Sequence, residues 1–142
     1  MTVPSQAIDA YIAFWEDLQQ GGLDRIAEVM DEKVRFKDPF NDVTGLPAVR
    51  DLLARAAGRF AELSVTVTDR AASEERVYLR WIYRYRLRPG SALGEIVGMT
   101  ELSFAPDGRV TAHIDHWDAA SQIYERLPLL GPLLRAIRHR IG

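Results

Sequence analysis

Leu63-Ser64-Val65-Thr66-Val67-Thr68 is the stretch at which the chain changes period. Leu63, Val65 and Val67 share one face of a strand, and the serine and threonines share the other. Before it, apolar residues recur at helical spacing. Ile8, Tyr11, Ile12, Trp15 and Leu18 form a first stripe, ended by Gly21-Gly22; Leu23, Ile26, Ala27 and Met30 form a shorter second. Val49, Leu52, Leu53, Ala56 and Phe60 form a third, with Pro47 suited to its first turn. Between the second and third, Val34 to Asp38 alternates and meets Pro39, which lacks the amide a ladder needs; residues 41–45 read as a turn. Beyond residue 68 the pattern stays at period two. In residues 77–88, read as the longest strand, Val77, Leu79, Trp81, Tyr83, Tyr85 and Leu87 face one way, and Arg80, Arg84, Arg86 and Arg88 the other, with Tyr78 and Ile82. Strands over about 93–104 and 109–117 flank the hairpin turn Ala105-Pro106-Asp107-Gly108. Three helices followed by a mostly antiparallel curved sheet predict one α+β domain over 1–142, with a core over about 5–118 and an extension over 119–142.

Composition narrows the function. The 142 residues are 47% apolar and 27% charged, a soluble globular balance. No cysteine is present, which excludes disulfides, a thiol nucleophile and thiolate metal sites. A net charge of −2 offers no general attraction for nucleic acid. No apolar run reaches membrane-span length. The opening Met1 to Ser5 lacks the basic and apolar regions of a signal peptide, so a cytoplasmic protein is expected. Residues 121–142 hold four arginines and one acid, Glu125, and so carry +3 of that total. Their apolar face is Leu130, Leu133, Leu134, Ile137 and Ile141; it is expected to cap the open side of the sheet or join a partner subunit, in preference to touching a membrane surface.

The chemistry-bearing residues are few. In Ala112-His113-Ile114-Asp115-His116-Trp117-Asp118, alternation puts His113, Asp115 and Trp117 on one face. Ionisable groups beside an indole are costly in plain core, so that face lines a cavity or meets solvent. His113, Asp115 and His116 diverge along the strand and make a poor metal site. Asp38 has two readings: it caps the turn at Asn41-Asp42, or it stands as a dehydrated general base at the mouth of an apolar cone between Phe36 and Phe40. The strand arginines read as a solvent-facing row that blunts the exposed side of the sheet or pairs with acids across a dimer. No phosphate-binding glycine loop, serine–histidine elbow or paired-histidine metal helix occurs, and Gly94 and Gly98 read as points of strand curvature.

Taken together, Tyr11 to Met30 with Gly21-Gly22-Leu23-Asp24-Arg25-Ile26, then Val34-Arg35-Phe36-Lys37-Asp38-Pro39 with Gly45, then Asp115-His116-Trp117 resemble the nuclear-transport-factor-2-like superfamily, and within it the SnoaL-like and ketosteroid-isomerase-like proteins. The resemblance covers about 5–118. It implies a cone-shaped (cystatin-like) fold around one deep apolar pocket, and a dimer. In ketosteroid isomerases the aspartate of the Asp-Pro is the base, here Asp38. The oxyanion tyrosine aligns nearest Phe14, one turn from Tyr11, and the oxyanion aspartate position is Thr100. A hydroxyl is a weaker donor than a carboxylic acid, which argues against steroid isomerisation. The SnoaL-type cyclases use a strand aspartate, a place Asp115 occupies.

Two classes of function follow. The first is an isomerase or cyclase without metal or organic cofactor, acting on a hydrophobic carbonyl compound. Asp38 or Asp115 would move the proton, with Tyr11, Tyr83 or His113 as donors, inside a wall that includes Phe14, Trp15, Phe36, Phe40, Leu53, Trp81, Thr100 and Trp117. The second is a non-catalytic dimeric protein that binds a hydrophobic ligand or serves as a scaffold. A homodimer through the outer sheet face, around Tyr78 and Ile82, is expected in either case.

Overall fold

A computed structural model describes residues 2–142. Helix α1 (Ser5–Glu16) buries Ile8 and Tyr11 of the expected stripe, and Phe14 beside them, while Ile12 and Trp15 are half-buried. The second stripe forms a 3-10 turn, Gly22–Arg25, running into the single turn α2 (Ile26–Val29). Strand β1 (Met30–Lys37) follows directly; the segment expected as a turn contains a short strand, β2 (Asp42–Thr44), folded back on it. Helix α3 (Leu46–Arg59) carries Pro47 in its first turn and buries Val49 and Leu53.

The remaining strands are β3 (Glu62–Ala72), β4 (Val77–Arg86), β5 (Gly94–Phe104) and β6 (Val110–His116). Their order in one six-stranded sheet is β2-β1-β6-β5-β4-β3, antiparallel except where β1 meets β6. Strand β4 is not the longest: β3 and β5 have 11 residues to its 10. The end of β3 past Val67 is exposed on both faces and shifts register there, so its polar residues hide the strand from an alternation test. Val77, Leu79 and Trp81 pack into the core. On the outer face Arg84 pairs with Glu95 and Arg86 with Glu62, within the one chain.

Two glutamines staple the ends of elements. Gln19 donates to the carbonyls of Ala57 and Phe60 and accepts from Leu63 N–H, closing the end of α3 onto the start of β3. Strand β6 pairs with β5 only from Met99 onward, which leaves Val97 without a ladder partner on that side. The Gln122 side chain fills the gap, accepting from Val97 N–H and donating to Val97 C=O.

Gln122 belongs to α4 (Ala119–Gln122), whose N-cap Asp118 accepts from the Ser121 backbone and hydroxyl. A 3-10 turn, Tyr124–Arg126, leads to α5 (Leu130–Ile141). Helix α5 does not cap the sheet. It leans on that turn through its polar side: Gly131 packs on the Glu125 carbonyl, Arg135 donates to it, and Arg138 pairs with the Glu125 carboxylate. Leu130, Leu133, Ile137 and Ile141 point outward.

Candidate functional site

The concave side of the sheet, α3 and the start of the extension enclose a cavity of about 620 Å³. That is the size of an ordinary small-molecule site. Its floor is a chain of hydrogen bonds running across four elements. The Tyr11 hydroxyl lies 2.9 Å from His113 Nδ1, and His113 Nε2 lies 2.8 Å from Asp115 Oδ1. Thr100 Oγ1 donates to the same oxygen at 2.5 Å, and accepts from Trp81 Nε1 at 2.7 Å.

Register explains the convergence. Thr100 is the cross-strand partner of Asp115, and Phe36 that of His113. The Phe36 ring stacks on the imidazole at 4.7 Å, with Trp15 at 5.0 Å. Strand β5 offers no side chain at Gly98, so the Trp81 indole crosses it; a Cβ there would meet the ring at 2.5 Å. Gly94 admits the Tyr85 ring in the same way. Close approach of an aromatic ring, not curvature alone, is what these glycines permit.

The partners assign the protons. A carboxylate only accepts, so Nε2 carries the imidazole hydrogen and Nδ1 accepts from Tyr11. Both donors end on Oδ1 of Asp115, and among the described residues no hydrogen bond reaches Oδ2. Asp115 is partly open to the cavity, whereas His113 and Thr100 are buried.

The phenols differ in use. Burial pushes Tyr11 far above its usual range; the nearby Trp15 indole N–H, which is buried without a well-aligned acceptor, works against this, and the Asp115 charge adds to it. Burial also raises Tyr83, followed by the charges of Asp115 and Asp38. Tyr83 lines the cavity, and its hydroxyl has no hydrogen-bond partner among the described residues.

Most expected residues meet here. Trp15, Phe36, Asp38, Phe40, Leu53, Trp81, Tyr83, Thr100, His113, Asp115 and Trp117 all line the cavity. Phe14 and Tyr11 do not. Phe14 is packed in the core against Tyr11 and Trp15, and the Tyr11 hydroxyl is spent on His113. The Asp38 carboxylate is engaged in its turn: Oδ1 accepts from the amides of Phe40 and Asn41 and from Asn41 Nδ2. His116 faces the other side of the sheet, its Nε2 3.5 Å from Glu101. Arg55, Arg59 and, in the extension, Gln122, Ile123, Arg126 and Leu127 also line the cavity, and the sequence alone did not point to them. The α3 arginines sit one turn apart beside Leu52 and Leu53, a spacing that could have flagged them; nothing local marks Gln122.

Residues 9–113 match the SnoaL-like domain family, close to three-quarters of the chain. The chain belongs to that family. No protein with a curated description matches the sequence of this SnoaL-like domain. Solved structures share its NTF2-like fold at low identity. A proposed SnoaL-like polyketide cyclase from Jannaschia sp. CCS1 superposes with a TM-score of 0.72 and 16% identity, covering 85% of this chain and 91% of that one. A hypothetical protein with a ketosteroid isomerase-like fold from Catenulispora acidiphila DSM 44928 gives 0.69 and 16%, covering 86% and 92%. The epoxide hydrolase/cyclase-like enzyme SalBIII, of pyran ring formation in salinomycin, gives 0.68 and 16%, covering 80% and 91%.

Proposed function

We propose that this SnoaL-like domain is an isomerase or cyclase that moves a proton next to the carbonyl of a hydrophobic compound, with Asp115 as the acid–base group. The observation that carries the reading is the asymmetry of Asp115: Oδ1 holds two donors, and Oδ2 is left for the ligand. A carboxylate oriented in this way is set to take a proton from a carbon beside a carbonyl. The C–H electron pair then moves into the ring system, and negative charge develops on the carbonyl oxygen. Tyr83, kept protonated by burial, supplies the hydrogen bond to that oxygen. Return of the proton at another carbon completes an isomerisation; alternatively the enolate carbon attacks a second carbonyl to close a ring, and the resulting alkoxide takes back the proton from Asp115.

His113 and Thr100 are positioning residues, and Tyr11 and Trp81 hold them. Thr100 cannot serve as an oxyanion donor, because its hydroxyl hydrogen goes to Asp115. Asp38 is in the same cavity, but its best lone pairs are committed to the turn. The relatives described as cyclases support the reaction class by analogy of fold only.

Assembly belongs to the same reading. Tyr78, Ile82, Val97, Met99 and Ile114 share the outer face of the sheet by register, ringed by Arg84–Glu95 and Arg86–Glu62. We infer a homodimer through that face, and sedimentation equilibrium should return twice the 16.0 kDa of one chain.

The test of the catalytic reading is deuterium exchange. A panel of bicyclic and tricyclic ketones is incubated with the protein in heavy water, and label beside the carbonyl is followed by mass spectrometry. Exchange above the buffer rate supports the enzyme. Tight binding of the same ketones without exchange instead supports the hydrophobic-ligand-binding reading.

A further inference from the structure

We infer that the ligand of this cavity is an amphipathic anion: an apolar ring body whose inner end meets Asp115 and whose outer end carries a carboxylate or phosphate held by Arg55, Arg59 and Arg126. This rests on the reading of the cavity as a small-molecule site. All three arginines line the cavity and are exposed, so they mark its outer end; His113, Thr100 and Trp81 mark its buried end. Arg55 and Arg59 are one turn apart on α3 and face it together. Arg126 stands in the 3-10 turn of the extension.

Like Arg50, Arg88 and Arg140, these three have no counter-charge among the described residues; what sets them apart is that all three line the cavity. Other arginines do meet acids, among them Arg25 with Asp17, Arg35 with Asp42, Arg70 with Asp9 and Arg84 with Glu95. No ion pair or side-chain hydrogen bond joins the guanidinium groups of Arg55, Arg59 or Arg126 to a described residue. The two acids lining the cavity do not serve. Asp38 is held by its own turn, and Asp115 by His113 and Thr100 at the buried end. Between the ends the wall is apolar, including Phe60, Val65, Leu79 and Ile96. A ligand that matches this gradient is polar at its reacting end, apolar in its middle and negative at its exit, where guanidinium groups bind carboxylate or phosphate well.

The test uses two fluorescent probes with the same rings, 8-anilinonaphthalene-1-sulfonate and the uncharged N-phenyl-1-naphthylamine. Both should bind and compete with each other, the sulfonate about five- to tenfold more tightly at low salt. In Arg55→Gln/Arg59→Gln and in Arg126→Gln that preference should shrink, with the neutral probe unchanged. Arg138→Gln/Arg140→Gln, which alters the basic surface of α5, should leave it intact. The neutral probe is then displaced by 2-naphthoate or 2-naphthyl phosphate; the stronger competitor tells a free acid from a phosphorylated ligand, and both should outdo 2-naphthol. Equal affinity of the two probes for the wild type, or a preference lost with the α5 variants, overturns the inference and leaves the cavity reading standing. Failure of the neutral probe to bind at all overturns both.

Discussion

The indole of Trp81 lies across Gly98 on the neighbouring strand, and from there its Nε1 reaches Thr100 at 2.7 Å. A methyl group at position 98 would meet the ring at 2.5 Å and the Trp117 Cβ at 2.9 Å. Gly98→Ala should therefore displace the indole and cost about 1–3 kcal/mol, as overpacking does. Urea unfolding read by tryptophan fluorescence measures this. Ala tolerated with unchanged stability would show that the ring has room.

Asp115 fixes the tautomer of His113, and Tyr11, 1% exposed, donates to the Nδ1 that this leaves free. Tyr11→Phe removes the donor and leaves Nδ1 buried without a partner, a cost of about 1–3 kcal/mol. Nitrogen-15 NMR of the imidazole should show the Nε2–H form in the wild type and, because Asp115 still accepts from Nε2, in the variant too, with the Nδ1 resonance moved by loss of its hydrogen bond. A wild type already mixed would contradict the assignment.

Alkaline pH should destabilise the protein through two phenols. Tyr11 and Tyr83 are both raised, chiefly by burial. Above the ordinary tyrosine value of about 10, the unfolded chain loses protons that the folded one keeps. Stability is fully present below that pH and falls above it, by up to about 1.4 kcal/mol per pH unit for each phenol. Tyr83→Phe should flatten the decline measured by thermal unfolding between pH 9 and 11. An unchanged slope would place Tyr83 in contact with water.

Removing residues 130–142 should leave the domain folded. Helix α5 rests on the turn at Tyr124–Arg126 and shows Leu133, Ile137 and Ile141 to solvent. The truncated chain is expected to keep its unfolding midpoint within a few degrees and to gain solubility. A large loss of stability would mean that the outward leucines are covered in solution.

The order of elements and the inward face of β4 were legible because burial on one side of a sheet forces alternation. Leu79, Trp81, Tyr83 and Tyr85 reach the cavity for that reason alone. His113 and Asp115 were legible as a pair for the same reason. Their partners were not: Thr100 and Tyr11 come from β5 and α1, and only the tertiary register brings their hydroxyls to Asp115 and His113. Asp38 shows the opposite limit. Its place beside Pro39 fits a base and a turn cap equally well, and only the folded turn shows its Oδ1 accepting from the amides of Phe40 and Asn41. Gln19 and Gln122 carry no local signal, since what they bridge is distant in the chain.

Deuterium exchange into a cyclic ketone, compared between Asp115→Asn and Asp38→Asn, tests the account most directly. Both variants keep the size of the side chain and one oxygen acceptor while exchanging the other oxygen for an amide donor, and circular dichroism confirms that each is folded. The account predicts a loss of about 10²–10⁴-fold in exchange for Asp115→Asn, the contribution of a general base, and a change of only a few fold for Asp38→Asn. Exchange that survives Asp115→Asn and vanishes in Asp38→Asn would contradict it.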